Sequence, residues 1–274
     1  MASHSLVNLH VPFRLSAVIT VLMVVQAVLG RMLEHEYRDV AWIRATWFGN
    51  DVVTLVLVVP LLVSALVLAR RGAVRALIVW LGVLGYSSYN YAYYMLGAAL
   101  NAFFPLYVLL LVLSVVTLIL VVTRIDVLQF TSFRVQTPVR FIGGFYLFVA
   151  GGLSLVWFGI WAAWVFAGRP TPVEREAFKL VAALDTSIMV PLMAFGGVLL
   201  LRRRPWGGIV AGIAGIQGSL YLILLSVNSI VAIFRGYVKA PGELPVWGVL
   251  AVATVISTLA LLRGLQDARP ATPS

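Results

Sequence analysis

The sequence lacks cysteine, and this absence excludes several kinds of chemistry. None of its 274 residues is a cysteine, so disulfide bonds, thiolate nucleophiles and thiolate metal ligands are all excluded. Histidine is scarce as well, since His4, His10 and His35 are the only three in the chain. None of them lies inside an apolar run, which excludes bis-histidine haem ligation and an intramembrane zinc site of histidines and carboxylates.

Charged residues are also few, and their scarcity sets the class of protein. Only 11% of the residues are charged while 62% are hydrophobic, whereas soluble domains carry about 25% charged residues. We therefore expect an all-α, polytopic transmembrane bundle whose main partner is the lipid bilayer. The net charge of +10 is interpreted by its position along the chain, and no nucleic-acid partner is expected.

Several catalytic signatures are missing. No lysine lies in the middle of an apolar run, so a retinal Schiff base is not expected, and no serine lies in a GxSxG setting. A phosphate-binding Walker motif is absent too. An enzyme would have to rely on aspartate, tyrosine and arginine alone, so the sequence favours a protein that is not an enzyme. It predicts no cofactor and no metal.

Eight apolar runs are long enough to cross a bilayer, which takes about 20 residues. Backbone groups in lipid must form hydrogen bonds within their own segment, so each run is predicted to be a helix. Charges and turn residues place the runs at 13–30, 52–69, 74–96, 104–123, 141–166, 184–201, 206–233 and 245–262.

Basic residues predict the orientation of these spans. Twelve of the twenty lysines and arginines fall at one end of the predicted bundle, in dense clusters such as ARRGAVR and LRRRP that mark a cytoplasmic face. The sequence thus predicts a multi-pass protein of the bacterial inner membrane with both termini in the cytoplasm, although the opposite orientation stays open. The twelve are Arg14, Arg70, Arg71, Arg75, Arg124, Arg134, Arg140, Arg202, Arg203, Arg204, Arg263 and Arg269.

Similar features recur in the same order in the two halves of the chain, which indicates an internal duplication. Pro60 and Pro191 each interrupt an apolar run and are predicted to kink their helices. The motif GVLG precedes Tyr91, and GIAG precedes Tyr221 at the same distance. We expect two four-helix halves related by an axis along the membrane normal. The predicted divisions are 11–124, a cytoplasmic linker 125–136, 137–264, and a cytoplasmic tail 265–274.

Each half has an outer segment that leads to an aspartate. Residues 31–50 mix charged and aromatic side chains, which is typical of an amphipathic helix lying on the membrane surface. Thr171 begins a capping-box pattern at the start of the corresponding segment 171–184. Asp51 and Asp185 then open the following spans, where they could act as helix N-caps or as functional groups.

The stretch SSYNYAYYMLGAALN, residues 87–101, brings unusual polarity into a span. Tyr86, the first of five clustered tyrosines, lies roughly 16 Å from the cytoplasmic end of its helix, too deep for an interfacial aromatic belt. Buried amides and hydroxyls need hydrogen-bond partners, so these side chains are predicted to face the interior of the protein. With polar groups of the other spans they would line a pocket, or they would only join helices. The pocket-lining candidates are Asp51, Asn90, Tyr91, Tyr94, Asp185, Gln217 and Tyr221.

Three segments resemble those of a group of bacterial multi-span integral membrane proteins that has no established activity. They are WFGNDVVTL at 47–55, YNYAYYMLGAALNAFFPLYV at 89–108 and PLMAFGGVLLLRRRPWG at 191–207. The resemblance extends from the second predicted span to the seventh. It implies an inner-membrane location and nothing about mechanism.

Two hypotheses about function follow. The first is a small-solute transporter or solute-binding membrane protein with an outward-facing polar pocket between the two repeats. The alternative is a non-catalytic accessory or assembly protein whose polar residues only pack helices together. A continuous polar cavity that joins the candidate residues would favour the first. The solute and the oligomeric state cannot be read from the sequence.

Overall fold

A computed structural model describes residues 9–125, 127, 133–237 and 242–265. No β-strand occurs among these residues, which confirms the predicted all-α class. The predicted tail beyond Leu265, and residues 126 and 128–132 of the predicted linker, lie outside the described residues. The helices are α1 (His10–Met32), α2 (Ala41–Val53), α3 (Val59–Arg70), α4 (Val74–Gly97), α5 (Phe104–Val122), α6 (Val139–Ala167), α7 (Arg175–Leu184), α8 (Val190–Leu201), α9 (Gly207–Phe234) and α10 (Leu244–Gly264).

Two pairs of helices are joined without a break by π-helical segments. Thr54–Val58 connects α2 to α3, and Asp185–Met189 connects α7 to α8. In each pair the second residue of the following helix is a proline, Pro60 or Pro191. A proline lacks the backbone donor and clashes with the carbonyl four residues earlier, and π-helical turns also bend helices. The kinks at Pro60 and Pro191 stay predictions.

Seven helical stretches of the described chain are long and apolar enough to cross a membrane. This finding indicates a multi-pass membrane protein with a bilayer around it. The remaining long helix, α4, has 24 residues and coincides with the third predicted span. Its tyrosines, serines and asparagine make it more polar, and it is not among the seven.

The expectation that the two aspartates act as helix N-caps is wrong. Ala41 begins a helical stretch that continues to Arg70, and Arg175 begins one that continues to Leu201. Asp51 and Asp185 therefore lie inside long helical stretches, where the preceding turns already satisfy their backbone amides. Segments 41–50 and 175–184 are continuous with the spans rather than separate surface helices, because their apolar residues pack against the bundle.

The capping box predicted at Thr171 is wrong as well. The Thr171 hydroxyl donates to the carbonyl of Val173 at 2.7 Å, which holds a turn before the helix. α7 begins only after Glu174, so Thr171 lies too early in the chain to cap it.

Helices α4 and α9 form the centre of the bundle. Sixteen of the residues of α4 are buried, and α9 is the most deeply buried of the seven apolar helices. Glycines allow the two helices to approach closely, since a Cβ on Gly82 would overlap Ile216 and one on Gly212 would overlap Ile78. The motifs GVLG and GIAG therefore lie at a helix crossing.

The other helices surround this central pair. α3 and α5 pack on α4, while α8 and α10 pack on α9. α2 reaches across to α9, and α7 reaches across to α4. α6 lies at the edge against α8 and exposes large apolar side chains such as Phe148, Leu155 and Phe166. Such a surface suits contact with lipid rather than water.

Candidate functional site

Asp51 is completely buried, and three side chains donate hydrogen bonds to its carboxylate. The Tyr94 hydroxyl and the Gln26 amide donate to Oδ1 at 2.7 and 3.1 Å. The Tyr37 hydroxyl donates to Oδ2 at 2.8 Å. Tyr91 in turn donates to Oε1 of Gln26 at 3.3 Å. Helix α4 thus holds this carboxylate directly through Tyr94 and indirectly through Tyr91.

Tyr37 enters the Asp51 cluster from the connection between α1 and α2. Its ring contacts Trp47 and Phe103, with centroids 6.3 and 5.7 Å away. Burial and the neighbouring Asp51 carboxylate raise the pKa of the Tyr37 phenol well above its ordinary value, so it remains a hydrogen-bond donor. Gly30 makes room for this contact, because a Cβ there would overlap the Tyr37 hydroxyl and Asp51 Oδ2.

Asp185 is enclosed in a similar way in the other half of the chain. The Tyr89 hydroxyl of α4 donates to its Oδ1 at 2.6 Å. The Trp157 indole of α6 and the Tyr221 hydroxyl of α9 donate to its Oδ2 at 2.9 and 3.4 Å. The rings of Tyr89 and Tyr221 meet edge to face at 5.0 Å. A second carboxylate is therefore buried among aromatic donors.

Helix α4 connects the two clusters, and three asparagine side chains joined by hydrogen bonds lie beside it. Tyr89 contacts one carboxylate and Tyr94 the other, with Asn90 between them in the sequence. Asn50, the neighbour of Asp51, donates to Asn90 Oδ1 at 3.4 Å. Asn228 of α9 donates to Asn50 Oδ1 at 3.0 Å. Side-chain amides thus link α9, α2 and α4 next to the Asp51 cluster.

Neither carboxylate forms an ion pair within the described part of the chain. The ion pairs found there involve other residues, and no group of three metal-ligating side chains occurs there either. A lone charge inside a membrane-spanning helix is costly. A phenol hydroxyl can act as donor or acceptor. It can therefore keep a hydrogen bond to a carboxyl group whether that group is protonated or ionised. Both clusters are chemically suited to exchange a proton.

Several buried polar atoms near these clusters have no hydrogen-bond partner. Such an atom costs about 1–3 kcal/mol if it stays unpaired, so each is a place where a polar ligand group or water would be stabilised. The Gln217 amide is one turn before Tyr221 on α9, and its oxygen lies against Gly85. The unpaired atoms include Nδ2 of Asn90, Nε2 of Gln217, Oδ1 of Asn228, Oγ1 of Thr54 and the hydroxyl of Tyr86.

The structure distributes the seven pocket-lining candidates over two clusters and the space between them. Asp51, Tyr91 and Tyr94 belong to the first cluster, and Asp185 and Tyr221 to the second. Asn90 lies between the clusters, and Gln217 makes no contact with either carboxylate. The predicted inward orientation of the tyrosine stretch is confirmed, since Tyr86, Tyr89, Asn90 and Tyr91 are at most 3% exposed. Whether the seven line one pocket stays a prediction.

Sequence reasoning did not select Gln26, Asn50, Tyr37 or Trp157 as site residues. Gln26 is the only amide side chain of α1, and Asn50 directly precedes Asp51, so both carried a signal in the sequence. Tyr37 lies outside the apolar runs, and Trp157 is one of several tryptophans near the end of α6. Nothing in their spacing singles out either of these two residues.

Comparison of the chain with protein-family models, with curated proteins and with solved structures found no match. The resemblance to a group of bacterial multi-span membrane proteins thus stays a prediction.

Proposed function

We propose that the protein is a bacterial inner-membrane transporter or solute-binding membrane protein, with its solute site in the polar core between two halves of the chain. One observation carries the proposal. Asp51 and Asp185 are both buried in membrane-spanning stretches without an ion pair in the described residues, and α4 donates hydrogen bonds to both. Polar groups at that depth are costly and commonly mark substrate or ion pathways.

The pattern of helix contacts supports eight spans arranged as two four-helix halves, 11–124 and 137–264. Within each half, the second and fourth spans pack on the third, which is α4 or α9. In each half, the helix that leads to the aspartate contacts the third span of the other half. α2 contacts α9, and α7 contacts α4. A two-fold axis between α4 and α9 would produce this exchange.

The positions of local features support the same division. Thr54 and Asp185 begin the two π-helical segments and are 131 residues apart, as are Pro60 and Pro191. In this register Asp185 corresponds to Thr54, so Asp51 lies three residues earlier, close to one helical turn. The two carboxylates would therefore lie at different depths in equivalent helices.

A coupling role for the carboxylates follows from their surroundings. Binding or release of a proton changes the charge of a buried carboxyl group, and that change alters the stability of the helix arrangement around it. α2 and α7 each contact the central helix of the other half. A charge change at either aspartate would bias how the halves pack, as alternating access requires.

One observation favours the accessory or assembly alternative. All four carboxylate oxygens of Asp51 and Asp185 already accept hydrogen bonds from the protein. Under this alternative the polar residues hold the helices together, and both clusters are parts of a rigid interior.

The two functions can be separated with purified protein in liposomes that contain a pH-sensitive dye. Gradients of amino acids, amines and sugars would be imposed in turn on wild type, Asp51→Asn and Asp185→Asn. We expect at least one solute gradient to drive proton movement with the wild type. We expect the flux to fall at least about tenfold in the Asp→Asn variants, because an amide cannot exchange the proton.

Glu243→Gln is the matched control, because it also neutralises one acid but lies near the exposed start of α10. It should behave as the wild type. If no solute moves protons, and the Asp→Asn variants differ from wild type only in thermal stability, the transport proposal fails and the accessory alternative stands.

A further inference from the structure

A groove of about 490 Å³ lies between α6 and α7, beside the Asp185 cluster. Its inner wall is aromatic, formed by Trp157, Trp161 and Trp164 of α6 and by Phe178 of α7. Trp157 closes the deep end, where its ring meets Phe178 at 5.5 Å and its indole donates to Asp185. Ligand pockets commonly have volumes of about 300–1,000 Å³ and apolar walls with a few polar groups.

The corresponding space beside Asp51 is filled by the protein itself. α1 and α2 pack against each other there, and Tyr37 inserts from their connection to reach the carboxylate. No side chain of the described connection between α6 and α7 donates a hydrogen bond to Asp185 in this way. The groove is therefore left open in one half of the chain and closed in the other.

The rim of the groove carries basic side chains at the polar end of α7. Arg175 and Lys179 are four residues apart, so they lie on the same face of the helix, and both border the groove. Glu176 also borders it but is 91% exposed and 4.0 Å from Lys179, which makes a weak pair. Arg175 forms no ion pair within the described residues. The rim therefore has a net positive charge above an aromatic wall.

We propose that this groove is a binding site for one anionic phospholipid of the adjacent leaflet. Its phosphate lies between Arg175 and Lys179, and one acyl chain lies along Trp164, Trp161 and Trp157. A molecule with an anionic head and an apolar chain matches both parts of the groove, whereas a small anion would leave the aromatic wall uncovered. The groove adjoins the Asp185 cluster through Trp157, but the lipid proposal does not depend on the solute site proposed above.

The test compares binding of phosphatidylglycerol and phosphatidylcholine with identical acyl chains to the detergent-purified protein, by native mass spectrometry. The wild type should bind phosphatidylglycerol more tightly. Each basic residue favours an anionic lipid by about fivefold, so Arg175→Ala/Lys179→Ala should weaken phosphatidylglycerol binding at least about tenfold. Ala183→Phe, which fills the groove and leaves the rim charges in place, should weaken the binding of both lipids.

Two controls match these variants. Arg202→Ala/Arg204→Ala removes the same charge beyond α8, and Val249→Phe adds bulk to an exposed position of α10. Both should bind phosphatidylglycerol as the wild type does. The proposal is overturned if the wild type binds the two lipids equally, or if the double variants at the rim and beyond α8 behave alike. It is also overturned if Ala183→Phe leaves binding unchanged.

Discussion

At the residue scale, Gly30 sets how closely Tyr37 approaches Asp51. An alanine Cβ there would overlap both the Tyr37 hydroxyl and Asp51 Oδ2. Gly30→Ala should therefore displace one of the donors of Asp51 and destabilise the protein by about 1–3 kcal/mol, the usual cost of overpacking. Thermal unfolding in detergent, followed by tryptophan fluorescence, measures the loss, since Trp47 lies in the same cluster.

Gly144→Ala in α6 is the matched control for this substitution. Its Cβ would meet no other atom within 4 Å, and alanine is favoured over glycine inside a helix by up to about 1 kcal/mol. This variant should unfold at the wild-type temperature or above it. Equal unfolding temperatures for Gly30→Ala and the wild type would show that Tyr37 and Asp51 do not crowd Gly30 in solution.

At the scale of elements, an ion pair joins the segment after α1 to the end of α9. Glu34 Oε1 lies 2.8 Å from Arg235 Nη1, and Arg31 is 3.6 Å from the same carboxylate. The guanidinium groups of Arg31 and Arg235 both lie over the ring of Phe48, at 3.7 and 4.6 Å from its centroid. The hydrogen bond from Arg235 lowers the pKa of Glu34 below its ordinary value of 4.5.

This lowered pKa predicts a pH-dependent stability. A carboxyl group with a lower pKa in the folded state stabilises the protein above its unfolded pKa, and this contribution is lost as pH falls through the folded pKa. Glu34→Gln should lower stability at neutral pH by less than about 1 kcal/mol, since the pair is partly exposed. The difference from wild type should disappear well below pH 4.5.

Thermal unfolding at neutral pH and well below pH 4.5 measures the effect, and Glu176→Gln serves as the control. Glu176 is 91% exposed and only 4.0 Å from its partner, so its removal should change stability little at either pH. A difference between Glu34→Gln and wild type that persists unchanged at low pH would show that the carboxylate charge contributes nothing.

The sequence predicted the helices well, because arginines, prolines and glycines bound the apolar runs. It predicted poorly where the two helical stretches that contain Asp51 and Asp185 begin. The segments before Asp51 and Asp185 contain charged residues, which is typical of surface helices, yet the structure continues them into the spans. Burial of residues such as Trp47 and Phe178 stabilises these extra turns, and a linear pattern does not contain that tertiary contact.

The candidate site was predicted in part for a related reason. Asp51, Asn90, Tyr94 and Asp185 stand out because polar residues are rare inside spans. Their partners depend on which helices meet, and this explains why Tyr37 and Trp157 were missed while Gln26 was visible but not chosen. The sequence shows which groups need partners, whereas the packing of α1, α4 and α6 decides which partners they receive.

At the scale of the whole molecule, the described helix ends lie at two opposite ends of the bundle. Arg75 at the start of α4 donates to the carbonyl of Leu265 after α10 at 2.9 Å, and Arg70 at the end of α3 lies over Phe13 of α1. The Glu34–Arg235 pair lies among the opposite helix ends. The basic residues Arg70 and Arg75 thus belong to one end of the bundle, for which the positive-inside rule predicts the cytoplasmic side.

Cysteine labelling tests that orientation, and the absence of native cysteine leaves no background. Val40 is 53% exposed before α2, at the end of the bundle that carries Glu34. Ala73 is exposed in the turn before α4, at the basic end. A membrane-impermeant maleimide on intact cells should label Val40→Cys and not Ala73→Cys, and both should react after permeabilisation. Labelling of Ala73→Cys alone would show the opposite orientation. Labelling of both variants in intact cells would rule out a single orientation. The inverted result would also place the proposed lipid site and the Asp51 cluster toward the cytoplasmic side, because α7 and Tyr37 lie toward the Val40 end.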